Sequence, residues 1–270
     1  MHRLFLIIVA CLQIHCGNSV RPPVSSDTQW KLFWSDEFDY IGLPDSTKWD
    51  YETGGSGWGN NEWQYYTHAN KDNAEVSNGL LHLRALKTDY DNKHYTSARL
   101  ITRGKQEFHY GKIEIRAKLP AGRGLWPAFW MLGSNIDQAG WPDCGEVDIM
   151  EHVGFQPDSV FGTVHTAAYN HIIGTQKGKK IYIKDPYTNF HVYAVEWSPE
   201  KMDFYLDGQQ YYSVANEHKT SAEWPFDKPF YLLLNIAVGG NLGGKQGVDD
   251  AVFPATMEVD YIRVYKKTNG

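Results

Sequence analysis

The sequence predicts an all-β domain: two antiparallel sheets packed as a β-jelly-roll sandwich, with a groove along one concave face. Three observations carry this. Polar and apolar residues alternate with period two in one segment after another. No segment sustains the i, i+3, i+4, i+7 apolar spacing of an amphipathic helix beyond about two turns. Aromatic residues make up 14% of the 270 residues, beside 25 Gly and 12 Pro, a composition of strands joined by tight turns.

In chain order, the first element is not part of the fold. Met-His-Arg precedes a short apolar run over 4–14, well below the ~20 residues needed to cross a hydrocarbon core. It reads as a secretory signal over 1–19, placing the protein outside the cytoplasm. Cys16, in Leu-Gln-Ile-His-Cys-Gly-Asn-Ser, resembles a lipoprotein cleavage site, although His15 stands where a small residue is usual. A lipid anchor at Cys16 is therefore the alternative to simple secretion. Residues 20–29 read as a flexible tether and 30–270 as one domain, with no second linker and no repeat. Of the three cysteines only Cys144 then remains unmodified, so stability rests on core burial, which ~240 residues can supply.

Strands are expected over 80–86, 97–103, 112–119, 191–197, 202–207 and 258–265. The run 112–119 alternates without a fault: Ile113, Ile115, Ala117 and Leu119 on one face, Lys112, Glu114, Arg116 and Lys118 on the other. Asp207-Gly208 between alternating segments marks a two-residue hairpin. With 26 Lys+Arg against 32 Asp+Glu, the surface lacks the cation excess that nucleic acid or anionic lipid demands. A monomer is expected.

The chemistry concentrates in Gly-Glu-Val-Asp-Ile-Met-Glu-His at 145–152. In a strand Glu146 and Asp148 share a face and Val147 and Ile149 point inward, but Glu151 lies an odd number of steps from Glu146 and would face away. One extra residue, a β-bulge at about Met150, returns it to the acidic face. The two glutamates then stand four strand steps apart, about 13 Å between Cα atoms, leaving about 5–7 Å between carboxyls. That spacing favours a retaining glycosidase over an inverting one without excluding either. Three acids on one face repel each other, so at least one pKa should rise. A solvated strand face or a calcium site remains an alternative from spacing alone.

The motif resembles the active-site signature of glycoside hydrolase family 16, in its laminarinase-like form with the additional Met. The likeness extends through WGNNEWQYYT at 58–67, YGKIEIRAKLPAGRGLWPAFWMLG at 110–133, GWPDCGEVDIMEHVG at 140–154, GTVHT at 162–166, HVYAVEWSPEKMDFYLDG at 191–208, FYLLLNIAVGGNLGG at 230–244 and FPATMEVDYIRVY at 253–265. The resemblance implies a β-jelly-roll with a long cleft and an endo-acting hydrolase of 1,3-β-glucan. It assigns Glu146 as nucleophile, Glu151 as acid/base and Asp148 as the helper between them.

It also implies that Trp126, Trp130 and Trp141 line the cleft, that Asn61 and Arg99 hydrogen-bond sugar, and that His165 adjoins the reaction centre. Each Trp taken singly could equally belong to the core, but Trp126 and Trp130 share a strand parity, with Phe129 and Met131 on the opposite face. His152 and Cys144 are expected to be structural. No cofactor is expected for catalysis. The family pattern places a structural calcium at Glu37, Gly79 and Asp260, the ending of a sheet face being the other reading of Asp260. The alternatives to a laminarin hydrolase are a non-catalytic β-glucan recognition module and a family member acting on mixed-linkage glucan or galactans.

Overall fold

Period-two alternation becomes seventeen strands among the described residues, which in this computed structural model are 21–23 and 29–268. The expected signal segment, with Cys11 and Cys16, lies outside them. In chain order the strands are β1 (Trp30–Asp36), β2 (Asp50–Tyr51), β3 (Gln64–Tyr66), β4 (Ala74–Ser77), β5 (Leu80–Ala85) and β6 (Tyr95–Ser97). There follow β7 (Arg99–Ile101), β8 (Gly111–Lys118), β9 (Leu125–Gly133), β10 (Glu146–Glu151), β11 (Ser159–His165) and β12 (Lys177–Tyr182). The last are β13 (His191–Trp197), β14 (Lys201–Leu206), β15 (Gln209–Ala215), β16 (Phe230–Val238) and β17 (Ala255–Lys267). Among the described residues, helix is confined to one turn, α1 (Ile136–Ala139), and a short 3₁₀ segment at Asp250–Val252.

One sheet runs β15-β14-β13-β8-β17-β5-β4, with β1 also paired to β17; the other runs β12-β11-β10-β9-β16-β7-β2. The core between them is apolar throughout. Ile113, Ile115 and Ala117 of β8 face Phe129 and Met131 of β9 and Leu232, Leu234 and Ile236 of β16 within one cluster. The opposite parity of the second sheet has a different role. Trp126, Ala128 and Trp130 of β9 and Asn235 and Ala237 of β16 point away from this core and line a cavity. That arrangement follows from the pleat, since successive residues of a strand face opposite sides.

The expected strands 80–86, 112–119, 191–197, 202–207 and 258–265 appear as β5, β8, β13, β14 and β17. The Asp207-Gly208 turn joins β14 to β15 with both residues left-handed, φ 50° and 77°, as a twisted two-residue hairpin requires. The expected strand 97–103 is divided. Its start, β6, pairs in parallel with β3, whereas β7 joins the cavity-bearing sheet between β16 and β2. The edge strand β12 carries no signal in the sequence: its Lys-rich stretch is mostly exposed on both faces, so no alternation marks it, and such charge protects a free edge.

Residues 21–23 of the expected tether are among those described. Arg263 donates to the carbonyls of Pro22 and Pro23 at 3.1 and 3.4 Å, holding residues 21–23 against β17.

Gly154, just past β10, packs against the loop that enters β9: a Cβ there would lie 1.6 Å from the Gly122 carbonyl oxygen. Gly154→Ala is therefore expected to destabilise the fold by about 1–3 kcal/mol, measured by denaturant unfolding; a loss under about 0.5 kcal/mol would show that the two loops part freely.

Candidate active site

Strand β10 carries the acids, and its pairing shows how they come to one side. Against β9 the register runs Asp148 opposite Trp130, then Met150 opposite Phe129, so β10 places two residues where β9 has one. Against β11 the same irregularity falls between Asp148 and Glu151. Ile149 and Met150 are both buried in the core, at 1% and 0% exposure, which a regular strand cannot do with consecutive side chains. The bulge near Met150 thus turns Glu151 to the side of Glu146 and Asp148, and all three line one cavity of about 380 Å³.

The tryptophans do more than line it. The Trp141 indole N–H donates to Glu146 Oε2 at 2.8 Å, and that of Trp126 to Glu151 Oε1 at 2.8 Å. Each glutamate is fixed by a ring that also forms a cavity wall. The Trp130 indole N–H donates to Asn235 Oδ1 at 2.7 Å. Asn235 donates in turn to the Tyr66 hydroxyl at 2.9 Å, and Tyr66 to Glu62 at 3.1 Å. Trp58, Glu62, Asn235 and His171 also line the cavity, and the sequence pattern singles out none of them. Trp58 and Glu62 sit inside the WGNNEWQYYT segment, but nothing in the alternation distinguishes them there.

Other expected residues take revised positions. Arg99 lines the cavity but is 7% exposed. Its guanidinium lies 4.7 Å from the ring centroids of both Trp58 and Trp130 and pairs with Glu52, so it spaces two rings. Asn61 lies outside the cavity lining, its amide donating to Asn241 Oδ1 at 2.9 Å. A left-handed backbone at Asn61, φ 55°, turns the chain so that Asn60 and Glu62 reach the cavity instead. His165 sits behind the acids, its Nε2 3.4 Å from Asp148 Oδ2 and 3.8 Å from Glu146 Oε1. His171 packs on Trp141 with centroids 5.0 Å apart.

His152 is fully buried. Its Nδ1–H donates to the Ser159 carbonyl, Nε2 accepts from the Tyr187 hydroxyl, and burial depresses its pKa to about 4. Cys144 is free and buried; both residues are structural.

Ligand-capable atoms of Glu146, Asp148 and His165 lie within 4.8 Å of one another, and this crowding in a buried patch governs the charge. Burial, reinforced by the neighbouring Asp148, pushes the Glu146 carboxyl up to about 8, against the pull of His165 and the Trp141 N–H. Burial raises Asp148 well above its ordinary value, with the Glu151 charge adding to it. Glu151 is raised by burial, and Trp126 and His165 oppose the rise. A side-chain hydrogen bond from Glu146 works against the rise at Asp148.

The residues expected to hold calcium do converge, but on guanidinium groups. Arg21 Nε donates to Asp260 Oδ1 at 2.8 Å and Nη2 to the Gly79 carbonyl at 3.0 Å. Both carboxylate oxygens of Glu37 accept from Arg263 at 2.9 Å. Calcium requires 6–8 oxygens free to approach to about 2.3–2.6 Å. With these oxygens spread around cations, the set does not fit that ion.

The raised carboxyls have a consequence for stability. A buried acid with folded pKa about 8 against an ordinary 4.5 stabilises the fold fully below about pH 4.5, and that contribution is lost as pH rises through about 8. Glu146→Gln stays neutral, so its thermal stability relative to the unsubstituted protein is expected to grow between those pH values, by on the order of 1–3 kcal/mol. Melting curves at both ends check it; a pH-independent difference would mean that Glu146 ionises without penalty.

Comparison with known proteins agrees with this geometry. A sequence model of glycosyl hydrolases family 16 matches residues 61–263. A "Beta-glucanase" of Rhodothermus marinus is 53% identical over 270 residues, covering 97% of this chain and 93% of that protein. The X-ray structure of the laminarinase from Rhodothermus marinus superposes with TM-score 0.87 at 55% identity, covering 89% of this chain and 98% of that one. A mutant of a non-specific endo-β-1,3(4)-glucanase, co-crystallised with 1,3-β-D-cellotriosyl-glucose, superposes with TM-score 0.86 at 46% identity, covering 91% of this chain and 97% of that one. With the bulged acidic strand, the two indole-held glutamates and a match over most of its length, the chain belongs to glycoside hydrolase family 16.

Proposed function

We propose that the protein is an endo-acting 1,3-β-glucanase of laminarin type that works with retention of configuration. The observation that carries this reading is the pair Glu146 and Glu151, brought to one cavity wall by the bulge and each anchored by an indole N–H. A recognition module would not need two glutamates held in place with raised pKa values; a hydrolase does.

The chemistry follows from the two environments. Glu151 has to enter protonated to act as the acid, and burial shifts its pKa in that direction. Trp126 occupies Oε1, leaving Oε2 to deliver the proton to the glycosidic oxygen. Glu146 attacks the anomeric carbon as the carboxylate, so the attacking form is the one that gains population as pH rises toward about 8. Two groups favour its charge against the burial that opposes it: the Trp141 N–H, which donates to Oε2, and His165, whose Nε2 lies 3.8 Å from Oε1. The bond from the anomeric carbon to the leaving oxygen breaks as the bond to Glu146 forms. Glu151, now ionised, takes a proton from water, and that water displaces Glu146 with a second inversion.

The substrate class follows from the walls. Trp58, Trp126, Trp130 and Trp141 offer ring surfaces to pyranose C–H faces. Among the described residues lining the cavity, Arg99 is the one Lys or Arg, and it is paired with Glu52. A sulfated galactan would need cations there, so a neutral glucan fits better. The short apolar run at 4–14 supports action outside the cytoplasm by secretion, with a lipid anchor at Cys16 as the alternative.

Laminarin digestion is expected to release oligosaccharides of mixed length early, the newly formed reducing ends appearing first as the β-anomer by NMR. Glu146→Gln and Glu151→Gln should each lower kcat by about 10³-fold or more with near-ultraviolet dichroism unchanged. Early α-anomer would refute retention, and turnover near normal in either variant would remove that residue from the mechanism.

A further inference from the structure

On the sheet opposite the cavity, Arg21 reaches across from the N-terminal segment to strand β17. Its guanidinium donates from every nitrogen: Nε to Asp260 Oδ1 at 2.8 Å, Nη2 to the carbonyls of Gly79 at 3.0 Å and Asp260 at 3.3 Å, and Nη1 to Asp39 at 3.2 Å. Glu37 Oε2 stands 3.6 Å from Nη1. The second oxygen of Asp260 is taken by Arg116 at 2.5 Å, and Arg263 grips Glu37 with two hydrogen bonds and the Pro22 carbonyl with another. Asp260 is 5% exposed.

We propose that Arg21 serves as a built-in cation, filling the place where the family pattern would put a calcium ion, so that this chain needs no divalent metal for its stability. Three features support it. First, the oxygens are of the kind a hard cation takes, namely two main-chain carbonyls and carboxylates, yet they surround a planar fork whose donors match them one by one. Second, the local charges balance without a metal. Glu37, Asp39 and Asp260 face Arg21, Arg116 and Arg263, and a divalent ion added to this set would leave it strongly positive. Third, Arg21 is not a passing surface charge, because Arg263 fixes the backbone that carries it by holding the carbonyls of Pro22 and Pro23.

Removing Arg21 would leave Asp260 and Gly79 with oxygens turned to an empty space and one uncompensated negative charge, the condition under which a calcium ion would be accepted. Arg21→Lys keeps the charge but loses the fork, since an ammonium cannot meet Asp260, Gly79 and Asp39 together.

The test uses the full chain, treated with EDTA and dialysed, and compares melting temperature with and without millimolar CaCl₂. The unsubstituted protein is expected to melt within about 1 °C in both, since a ligand that does not bind cannot shift the equilibrium, and to show no calcium binding by titration calorimetry. Arg21→Ala should melt about 4–8 °C lower, with calcium restoring part of the loss and binding now measurable, and Arg21→Lys should fall between them. The cavity chemistry lies on the other sheet, so kcat at 25 °C should not move. Calcium retained by the unsubstituted protein, or a fall in its melting temperature on EDTA treatment, would overturn the proposal even if the variants fail to fold. So would an Arg21→Ala protein as stable as the original, or one destabilised yet indifferent to calcium.

Discussion

The site depends on one local departure from β regularity. Strand β10 is obliged by its pleat to send alternate side chains to core and cavity, and the count from Glu146 to Glu151 is odd. Only because Ile149 and Met150 both turn into the core does Glu151 emerge beside Glu146. The core therefore enforces the catalytic geometry. Two adjacent apolar side chains buried together hold the bulge in place, since flattening it would bring one of them out into the cavity and send Glu151 into the hydrophobic interior. Bulges that re-aim a side chain next to an active site are a recurrent use of this irregularity.

A second constraint opposes the first. Gathering three carboxyls against the same sheet face removes them from water and sets their charges against one another. The fold meets this mainly with neutral donors and a histidine, Lys245 adding a favourable positive charge for Glu151. Indole N–H groups hold Glu146 and Glu151, and His165 stands behind Glu146 and Asp148. Neutral donors orient a carboxylate without fixing it permanently in the charged form, which suits a residue that must exchange a proton in each cycle. The one arginine of the cavity wall directs its charge to Glu52 and its flat faces to Trp58 and Trp130. The site accordingly gives up stability for reactivity, a common pattern where buried acids are kept for chemistry.

The two sheets divide these tasks. The sheet of β9, β10 and β16 turns one parity to the core and the other to the cavity. The outer face of the sheet built around β8 and β17 carries a network of ion pairs instead, including Arg116 with Asp260, Arg263 with Glu37 and Lys118 with Glu258. Several of its members are buried, because the N-terminal segment and Phe190, which lies 4.8 Å from the Arg116 guanidinium, cover them. Polar residues that alternate cleanly in sequence thus end as a covered polar layer.

How much of this was legible in the sequence differs by element. Alternation disclosed β8 and β13, and Asp207-Gly208 disclosed the hairpin, because both signals are local: the pleat and the left-handed turn are set by neighbours in the chain. The three acids and the need for a bulge were likewise countable from spacing. The division of 97–103 between two sheets was not, since which strand pairs with which is decided by contacts distant in sequence. Nor was the whole lining of the cavity, beyond Trp126, Trp130, Trp141 and Arg99. Asn60 and Glu62 line the cavity on either side of Asn61, whose backbone is left-handed. His171 reaches the cavity on a loop that no periodicity marks. Arg21 sits on Asp260 although 239 positions separate them, and no local pattern could disclose that pairing. The chain's own order thus settled the strand class, the acidic strand and its offset. Packing between remote segments settled which oxygens are met by indoles, which by guanidinium, and which are left for substrate, because those choices depend on distances that only the folded sheets bring below hydrogen-bond length.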